Sequence, residues 1–429
     1  MPLDLQRIYN HLPVMLLYDF SIFLYSAAVR LVSLWNPKAR AWLEGRKGLF
    51  SKMEKALQDT GEKKRIWMHC ASLGEFEQGR PVLEALRNQY PGACILLTFF
   101  SPSGYEIRKN YPLADHVFYL PADTKMNAKK FYDIVKPDLV IFVKYEYWLN
   151  HLFTLKENGV PVLMISAIFR KDQVFFKWYG GQWKKALSVF RHFFVQNAES
   201  RDLLASSGID QVSITGDTRF DRVISITENF EELPLIKKFC SSSFVIVAGS
   251  TWPEDEEVWT HLVRTRKDTR FIFAPHELYD DHMKSIERLF PGSILYSELE
   301  KGISSDESNV LVIDNFGILS RLYHYAGICY IGGGFSNGIH NILEAAVHGK
   351  PLIFGPAFYK FQEALDLLER GGAETVESAV ELEKIVAQWL NDPVERIERG
   401  KVSSDYVKSK AGATKRIIGF IQENRLLTS

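Results

Sequence analysis

Four cysteines in 429 residues, and no excess of charge of either sign, set the first limits on this chain. Cys70, Cys94, Cys240 and Cys329 are scattered, form no CxxC pair, and mostly lie in apolar runs. That pattern argues against a disulfide scaffold or a zinc ribbon and reads as buried, reduced thiols of a cytosolic protein. Lysine and arginine total 52 against 52 aspartates and glutamates. No global field therefore draws the chain to nucleic acid, and any basic site is local. There is no short-period repeat and no low-complexity tract. Nor is there a GxGxxG turn with an acid about 20 residues on, which argues against hydride transfer. Apolar residues are plentiful, at 46% with 13% aromatic, enough for the cores of about two to three domains.

The run LPVMLLYDFSIFLYSAAVRLVSLW (12–35) is long enough to cross a bilayer, which takes about 20 residues. Asp19 and Arg30 interrupt it, and Arg7 is the only basic residue before it, a poor start for a cleaved signal. It reads as an uncleaved anchor over residues 1–36, spanning the membrane or lying in its interface, with a buried core helix as the alternative. The cations that follow (Lys38, Arg40, Arg46, Lys47, Lys52, Lys55, Lys63, Lys64 and Arg65) suit anionic headgroups on the cytoplasmic side.

From residue 65 short apolar runs alternate with helical patterns. Most of the strand candidates 65–70, 93–100, 116–121, 138–145, 161–168 and 192–196 are apolar throughout, as strands buried on both faces are. A polar stretch with Pro234 and a serine run follows, and then a second series at 244–250, 270–275, 293–299, 310–315, 328–334 and 351–356. This βαβ punctuation predicts two doubly wound, Rossmann-like α/β domains facing a cleft. The first covers 37–225 and the second 244–393. A linker spans 226–243, and helices over 394–429 could fold back onto the first domain.

Several motifs stand at predicted strand ends. In MHCASLGEFEQGRP (68–81), Glu75 is either a helix-end charge or a catalytic base. In GSTWPEDEEVW (249–259), Ser250 or Thr251 can cap a helix whose first turn holds Pro253 and acids; the free N–H groups of such an end can also hold a phosphate. In YIGGGFSNGIHNILEAAVHGKP (330–351), glycines including Gly333 and Gly334 let a ligand approach the backbone. A helix is expected from Asn337 or Gly338, with Asn341 and Glu344 on one face. An acid there suits ribose hydroxyls. His340, Glu344 and His348 recur at i+4, but Gly349 and Pro351 end the helix near His348, so no metal site is expected. His276 follows another strand and is either a phosphate or sugar-carboxylate contact or a helix-start residue. Phe316 and Gly317 could line a base pocket, and KYEYWLN (144–150) sets Glu146 and Trp148 at a strand end. In the stretch 169–187, Arg170, Lys171, Lys177, Lys184 and Lys185 interleave with aromatics, which suits a phosphorylated amphiphile or a solvated basic helix.

Together these motifs resemble the Kdo transferases, the 3-deoxy-D-manno-octulosonic acid transferases of lipopolysaccharide synthesis. CASLGEFEQGRP is similar to the family's SxGE element, KYEYWLN to ETELWPN, ITGDTRFD (214–221) to TGNLKFD, and GSTWPEDEE to GSTHxGEE. GIHNILEAAVHGKPLIFGP is similar to GGHNPLEPAALGKPVLFGP. The resemblance covers nearly the whole chain and implies a GT-B fold, with an acceptor domain before a donor domain. It implies transfer of Kdo from CMP-Kdo to a lipid A precursor resembling lipid IVA, at the cytoplasmic face of the inner membrane, with inversion and with no metal or other cofactor. An N-terminal anchor is usual in the family, nucleic acid is not a partner, and the oligomeric state stays open. By position Glu75 matches the general base. Ser72, Gly74, Glu146, Arg170 and Lys177 fall on the acceptor side. Ser250, Thr251, His276, Phe316, Gly317, Gly333, Gly334, Asn341 and Glu344 fall on the donor side. Lys144 replaces the first acid of ETE, PRHPER shortens to PHE with His276 in place of an arginine, and Gly338-Ile339 replaces the glycine pair before HN. The remaining alternatives are another GT-B nucleotide-sugar transferase, a UDP-sugar epimerase, or a non-catalytic membrane-bound nucleotide-binding module.

Overall fold

The structure, a computed structural model, describes residues 12–305 and 307–427. The chain divides into two compact units, residues 1–222 with 412–429, and residues 223–411.

The first unit is built on seven parallel strands: β1 (Arg65–Cys70), β2 (Cys94–Phe99), β3 (His116–Tyr119), β4 (Leu139–Val143), β5 (Val162–Ala167), β6 (His192–Val195) and β7 (Val212–Ile214). Their order in the sheet is β3-β2-β1-β4-β5-β6-β7. Alternate residues feed two cores. Trp67, Leu96, Val140 and Met164 face one, and Ile66, Met68, Leu97 and Ile141 face the other. Both faces are covered, which is why these strands show no polar alternation. The second unit repeats the plan with β8 (Phe244–Thr251), β9 (Thr269–Pro275), β10 (Ile294–Leu295), β11 (Val310–Val312), β12 (Ile328–Ile331), β13 (Leu352–Phe354) and β14 (Ala373–Thr375), in the order β10-β11-β9-β8-β12-β13-β14. The strand order reverses between β1 and β4 and again between β8 and β12. Crevices for ligands open at such switch points, beyond the carboxyl ends of the strands.

Several expectations shift. The run 293–299 gives only the two-residue β10, because Glu298 accepts a hydrogen bond from the Leu295 amide at 2.8 Å and starts a helix at Tyr296. The short β7 and β14 fall in stretches with too few apolar residues to signal a strand. The linker expected over 226–243 holds the helix Pro234–Cys240, with Ile236, Phe239 and Cys240 buried in the second unit. The boundary falls instead within the helix Arg219–Glu228. The C-terminal stretch is also divided. The helix Pro393–Ser409 stays with the second unit, and Ala413–Glu423 belongs to the first. Asp221 accepts from the Gly412 and Thr414 amides at 2.5 and 2.7 Å, which seats Ile417 and Ile421 in the core beside β1.

The helix Leu12–Val32 is long and apolar enough to cross a membrane. One side lies against the first unit. The Tyr18 hydroxyl donates to Asp123 at 2.5 Å, and Asn150 donates to Asp19 at 2.8 Å. Met15 and Tyr18 pack on the core, and Tyr25 meets Trp42 edge to face. Leu16, Leu17, Phe20, Phe23, Leu24 and Leu31 are exposed on the outward side.

Candidate functional site

In the first unit the site forms where β1 and β4 end. Ser72 caps the helix Leu73–Gln89, its hydroxyl accepting from the Gly74 amide at 3.2 Å. The same hydroxyl donates to Glu75 Oε2. Among the described residues, Oε1 of Glu75 has no hydrogen-bond partner, so half of a partly exposed carboxylate is available. Gly74 is exposed, and nothing but Ser72 Oγ lies within 4 Å of where its Cβ would be. Glu77 is occupied: Arg108 pairs with it at 2.8 Å, and Arg80 and Arg222 lie at 3.8 and 3.7 Å. The segment after β7 supports this helix. Asp217 accepts from Gln78 at 2.9 Å, and the Thr218 hydroxyl donates to the Gln78 carbonyl.

Glu146 stands beside this site but is 6% exposed. Trp148 Nε1 donates to its Oε2, and His69 Nε2 lies 3.1 Å from the same oxygen. On the other side of the His69 ring, Nδ1 is 2.8 Å from the Thr98 hydroxyl, which accepts from Trp67 Nε1 at 2.8 Å. Trp67, Thr98, His69 and Glu146 thus form one continuous hydrogen-bonded chain. Burial, followed by the charges of Glu75, Glu146 and Glu77, pushes the Cys70 thiol well above its ordinary pKa, so these acids surround the end of β1. Lys144 sits at φ 70° directly after β4, a left-handed conformation that turns the chain into the 145–148 loop. Arg170 reaches this loop through the Tyr145 hydroxyl at 3.3 Å. Lys177 follows a short helical turn, and among the described residues its side chain makes no hydrogen bond or ion pair that joins it to the group.

In the second unit the site lies where β8 and β12 end. Neither Ser250 nor Thr251 caps the helix Pro253–Glu257. Its N-cap is Trp252, whose amide donates to Asp255 at 3.0 Å. Asp255 is fully buried and also accepts from the Gly333 amide and the Tyr330 hydroxyl, each at 2.7 Å. Thr251 is buried and gives its hydroxyl to Glu256 at 2.8 Å; His282 holds the same carboxylate at 3.0 Å, which raises the His282 pKa. Ser250 sits at φ 55°.

The glycines serve the backbone itself. A Cβ on Gly332 would lie 2.2 Å from the Ser250 carbonyl oxygen, and one on Gly334 would lie 2.5 Å from the Gly355 amide. Gly333 takes φ 89° to begin the turn. No helix starts at Asn337 or Gly338, because the turn runs on to a four-residue helix, Leu343–Ala346. Asn341 precedes it, accepting from the Leu343 amide at 3.3 Å and donating to Glu344 at 2.9 Å. His276 stacks on His340 at 4.1 Å and on Trp252 at 5.1 Å, while Trp252 Nε1 donates to His340 Nε2 at 3.0 Å. Burial, with His276 adding to it, pushes the His340 pKa down to about 4. His348 bonds the Ser320 carbonyl at 2.8 Å. Phe316 and Gly317 stand on an open loop, with Phe316 76% exposed.

Residues 26–222, most of the first unit, match the family model described as 3-deoxy-D-manno-octulosonic-acid transferase (kdotransferase). The 3-deoxy-D-manno-octulosonic acid transferase of Chlamydia trachomatis serovar A is 28% identical over 359 residues, covering 80% of this chain and 82% of its own. That of Aquifex aeolicus is 28% identical over 315 residues, covering 72% of this chain and 80% of its own. The chain is thus similar to Kdo transferases, in the family model over its first half and in the relatives over 72–80% of its length. Kdo transferases are glycosyltransferases of lipopolysaccharide synthesis. The fold agrees: UDP-GlcNAc 2-epimerase from Neisseria meningitidis, bound to UDP-GlcNAc, superimposes with a TM-score of 0.60 at 17% identity, over 84% of this chain and all of that one. At that identity the likeness is one of GT-B architecture alone.

Against the Kdo transferase motifs, the sequence reading missed His69, Asp255, Glu256 and His282. His69 carried a usable signal, since a histidine inside an otherwise apolar strand needs a polar partner. Asp255 and Glu256 carried none, because acids in a first helical turn are expected for the helix dipole alone.

Proposed function

We propose that this protein transfers Kdo from CMP-Kdo to a lipid A precursor, with inversion and without a metal, using Glu75 as the general base. The observation that supports the base most directly is the split environment of its carboxylate. Ser72 holds Oε2, which fixes the side chain and leaves Oε1 for the acceptor hydroxyl. In a one-step displacement, Oε1 takes the proton as the acceptor oxygen attacks the anomeric carbon from the face opposite CMP. Glu146, oriented by His69 and Trp148, supports the acceptor side through the loop it anchors, and Arg170 and Lys177 supply charge for acceptor phosphates. On the donor side the phosphate of CMP meets Ser250, His276 and backbone N–H groups at the rim of the glycine turn, and Asn341 with Glu344 meets the ribose. Fixed dipoles and hydrogen-bond donors then stabilise the charge on the departing phosphate. Phe316 and Gly317 border the base.

An apolar N-terminal helix in an enzyme of lipopolysaccharide synthesis indicates membrane association. We place the protein on the cytoplasmic face of the inner membrane, with Leu12–Val32 lying in the interface. The polar bonds of Tyr18 and Asp19 to the first unit support a lying helix, because they would be costly inside a bilayer.

The test uses purified full-length protein, CMP-Kdo and a lipid A precursor, with product read by mass spectrometry. Glu75→Ala is expected to lose turnover while still binding CMP, and Glu344→Ala to weaken CMP binding. Turnover by Glu75→Ala equal to that of the parent would end the base assignment. Tighter binding of UDP than of CMP would favour a different nucleotide-sugar enzyme.

A further inference from the structure

Between the helix Leu12–Val32 and the segment 42–50 lies a cavity of about 460 Å³. Arg30, Arg46 and Lys47 line it together with Trp42, Leu43 and Leu49, and no carboxylate does. It lies within the first unit, and Glu75 is not among its lining residues. Among the described residues none of the three cations makes an ion pair.

Arg46 is the unusual member. Its guanidinium donates to three backbone carbonyls, those of Leu120 at 2.9 Å, Trp42 at 3.0 Å and Phe100 at 2.9 Å. It also lies 3.7 Å over the Trp42 ring and 4.7 Å from that of Tyr119. Burial pulls its pKa down to about 9. A guanidinium has five N–H groups, so this arrangement uses three and leaves the charge without an anion. A withdrawn charge in that state is costly unless something of opposite sign completes it. The planar fork suits the oxygens of a phosphate, and two more cations stand at the same wall. The apolar residues beside them suit the glycerol and first methylenes of a lipid. The helix Leu12–Val32 contributes Ser26 and Arg30 to the lining.

We propose that this cavity binds the phosphate of an anionic membrane phospholipid, held by Arg46, Arg30 and Lys47 as a fixed attachment point rather than as a substrate. The assignment rests on the membrane attachment of Leu12–Val32 stated above and is independent of the transfer reaction.

Full-length protein is mixed with vesicles of phosphatidylcholine, with or without phosphatidylglycerol, and binding is read by flotation. Detergent-purified protein is examined in parallel by native mass spectrometry for retained phosphatidylglycerol. The expected result is flotation with both vesicles, stronger with phosphatidylglycerol, and one lipid retained per chain. Arg30→Gln with Lys47→Gln, at the mouth of the cavity, should weaken the phosphatidylglycerol preference roughly thirtyfold, and Arg46→Met should abolish retention. The mouth variants keep the test independent of whether Arg46→Met folds. Flotation without any phosphatidylglycerol preference, or with a preference the mouth variants leave intact, overturns the site and leaves the attachment standing. Absence of flotation and of retained lipid overturns both. Displacement of the retained lipid by millimolar inorganic phosphate or glycerophosphate would show a free-phosphate site and overturn the lipid assignment.

Discussion

The Ser72 hydroxyl donates to Oε2 of Glu75, so one oxygen of the proposed base is fixed by the residue that caps its own helix. Removing the carboxylate should cost far more than removing the hydroxyl. Glu75→Gln is expected to lower kcat for Kdo transfer by about 10²- to 10⁴-fold. Ser72→Ala should lower it roughly tenfold through lost orientation. Steady-state kinetics on both variants checks the ratio; a larger loss in Ser72→Ala than in Glu75→Gln contradicts the assignment.

Glu146 and His69 are each other's buried partners. His69→Ala and Glu146→Gln should each destabilise the protein by about 1–3 kcal/mol, because each leaves a buried polar group short of a bond. The double variant should cost less than the sum by about 0.5–3 kcal/mol. Denaturant unfolding of the four proteins measures this coupling, and strict additivity would show that the two side chains do not depend on one another.

The glycine turn after β12 tolerates no side chain. Gly332→Ala brings a Cβ to 2.2 Å from a carbonyl oxygen and should destabilise by about 1–3 kcal/mol, in the manner of overpacking. Gly74→Ala, whose Cβ meets nothing nearer than 3.7 Å, should melt close to the parent. Thermal melts of the two variants, side by side, make the comparison.

Acid should weaken the second unit. His340 and His348 both have folded-state pKa values pushed down to about 4, from 6.5, chiefly by burial. Between about pH 4 and 6.5 the unfolded chain binds protons that the folded chain refuses, so stability is complete above pH 6.5 and declines as pH falls toward 4. Unfolding midpoints at pH 7.5 and 5.5 should show the loss, and His348→Gln should reduce it. A pH-independent midpoint over that interval would contradict the burial of the neutral rings.

Asp255 joins the Trp252 turn to the Gly333 turn and to Tyr330 through three hydrogen bonds. Asp255→Asn removes the charge and replaces one acceptor oxygen by a donor. It should cost about 2–4 kcal/mol, from bonds to a charged group that are worth about 1.5–3 each. It should also loosen the turn enough to weaken CMP binding. Calorimetric titration with CMP, alongside a melt, separates the two effects.

The strand pattern was legible in the sequence because both sheet faces are buried, so each inner strand became an unbroken apolar run. Glu75 was legible for a different reason: a Gly-Glu pair directly after such a strand is conspicuous. The supporting contacts were not legible. Asp255 reaches Gly333 across 78 positions, and His69 reaches Glu146 across 77. Neither pair leaves a periodic trace. The glycine turn was read as room for a ligand, whereas Gly332 and Gly334 are required by Ser250 and Gly355. Spacing shows that side chains are missing but not whether a ligand or the chain's own backbone fills the place. The boundary at 222–223 was hidden inside a continuous helix, where composition does not change.

All four thiols lie inside the two units, and burial pushes that of Cys240 up to about 12. At neutral pH the native protein therefore offers alkylating dyes almost no background. Cysteines introduced at Trp178 and Phe316, exposed positions in different units, can carry a fluorophore pair without first stripping the natural ones. That makes either unit open to a site-specific label on the native background.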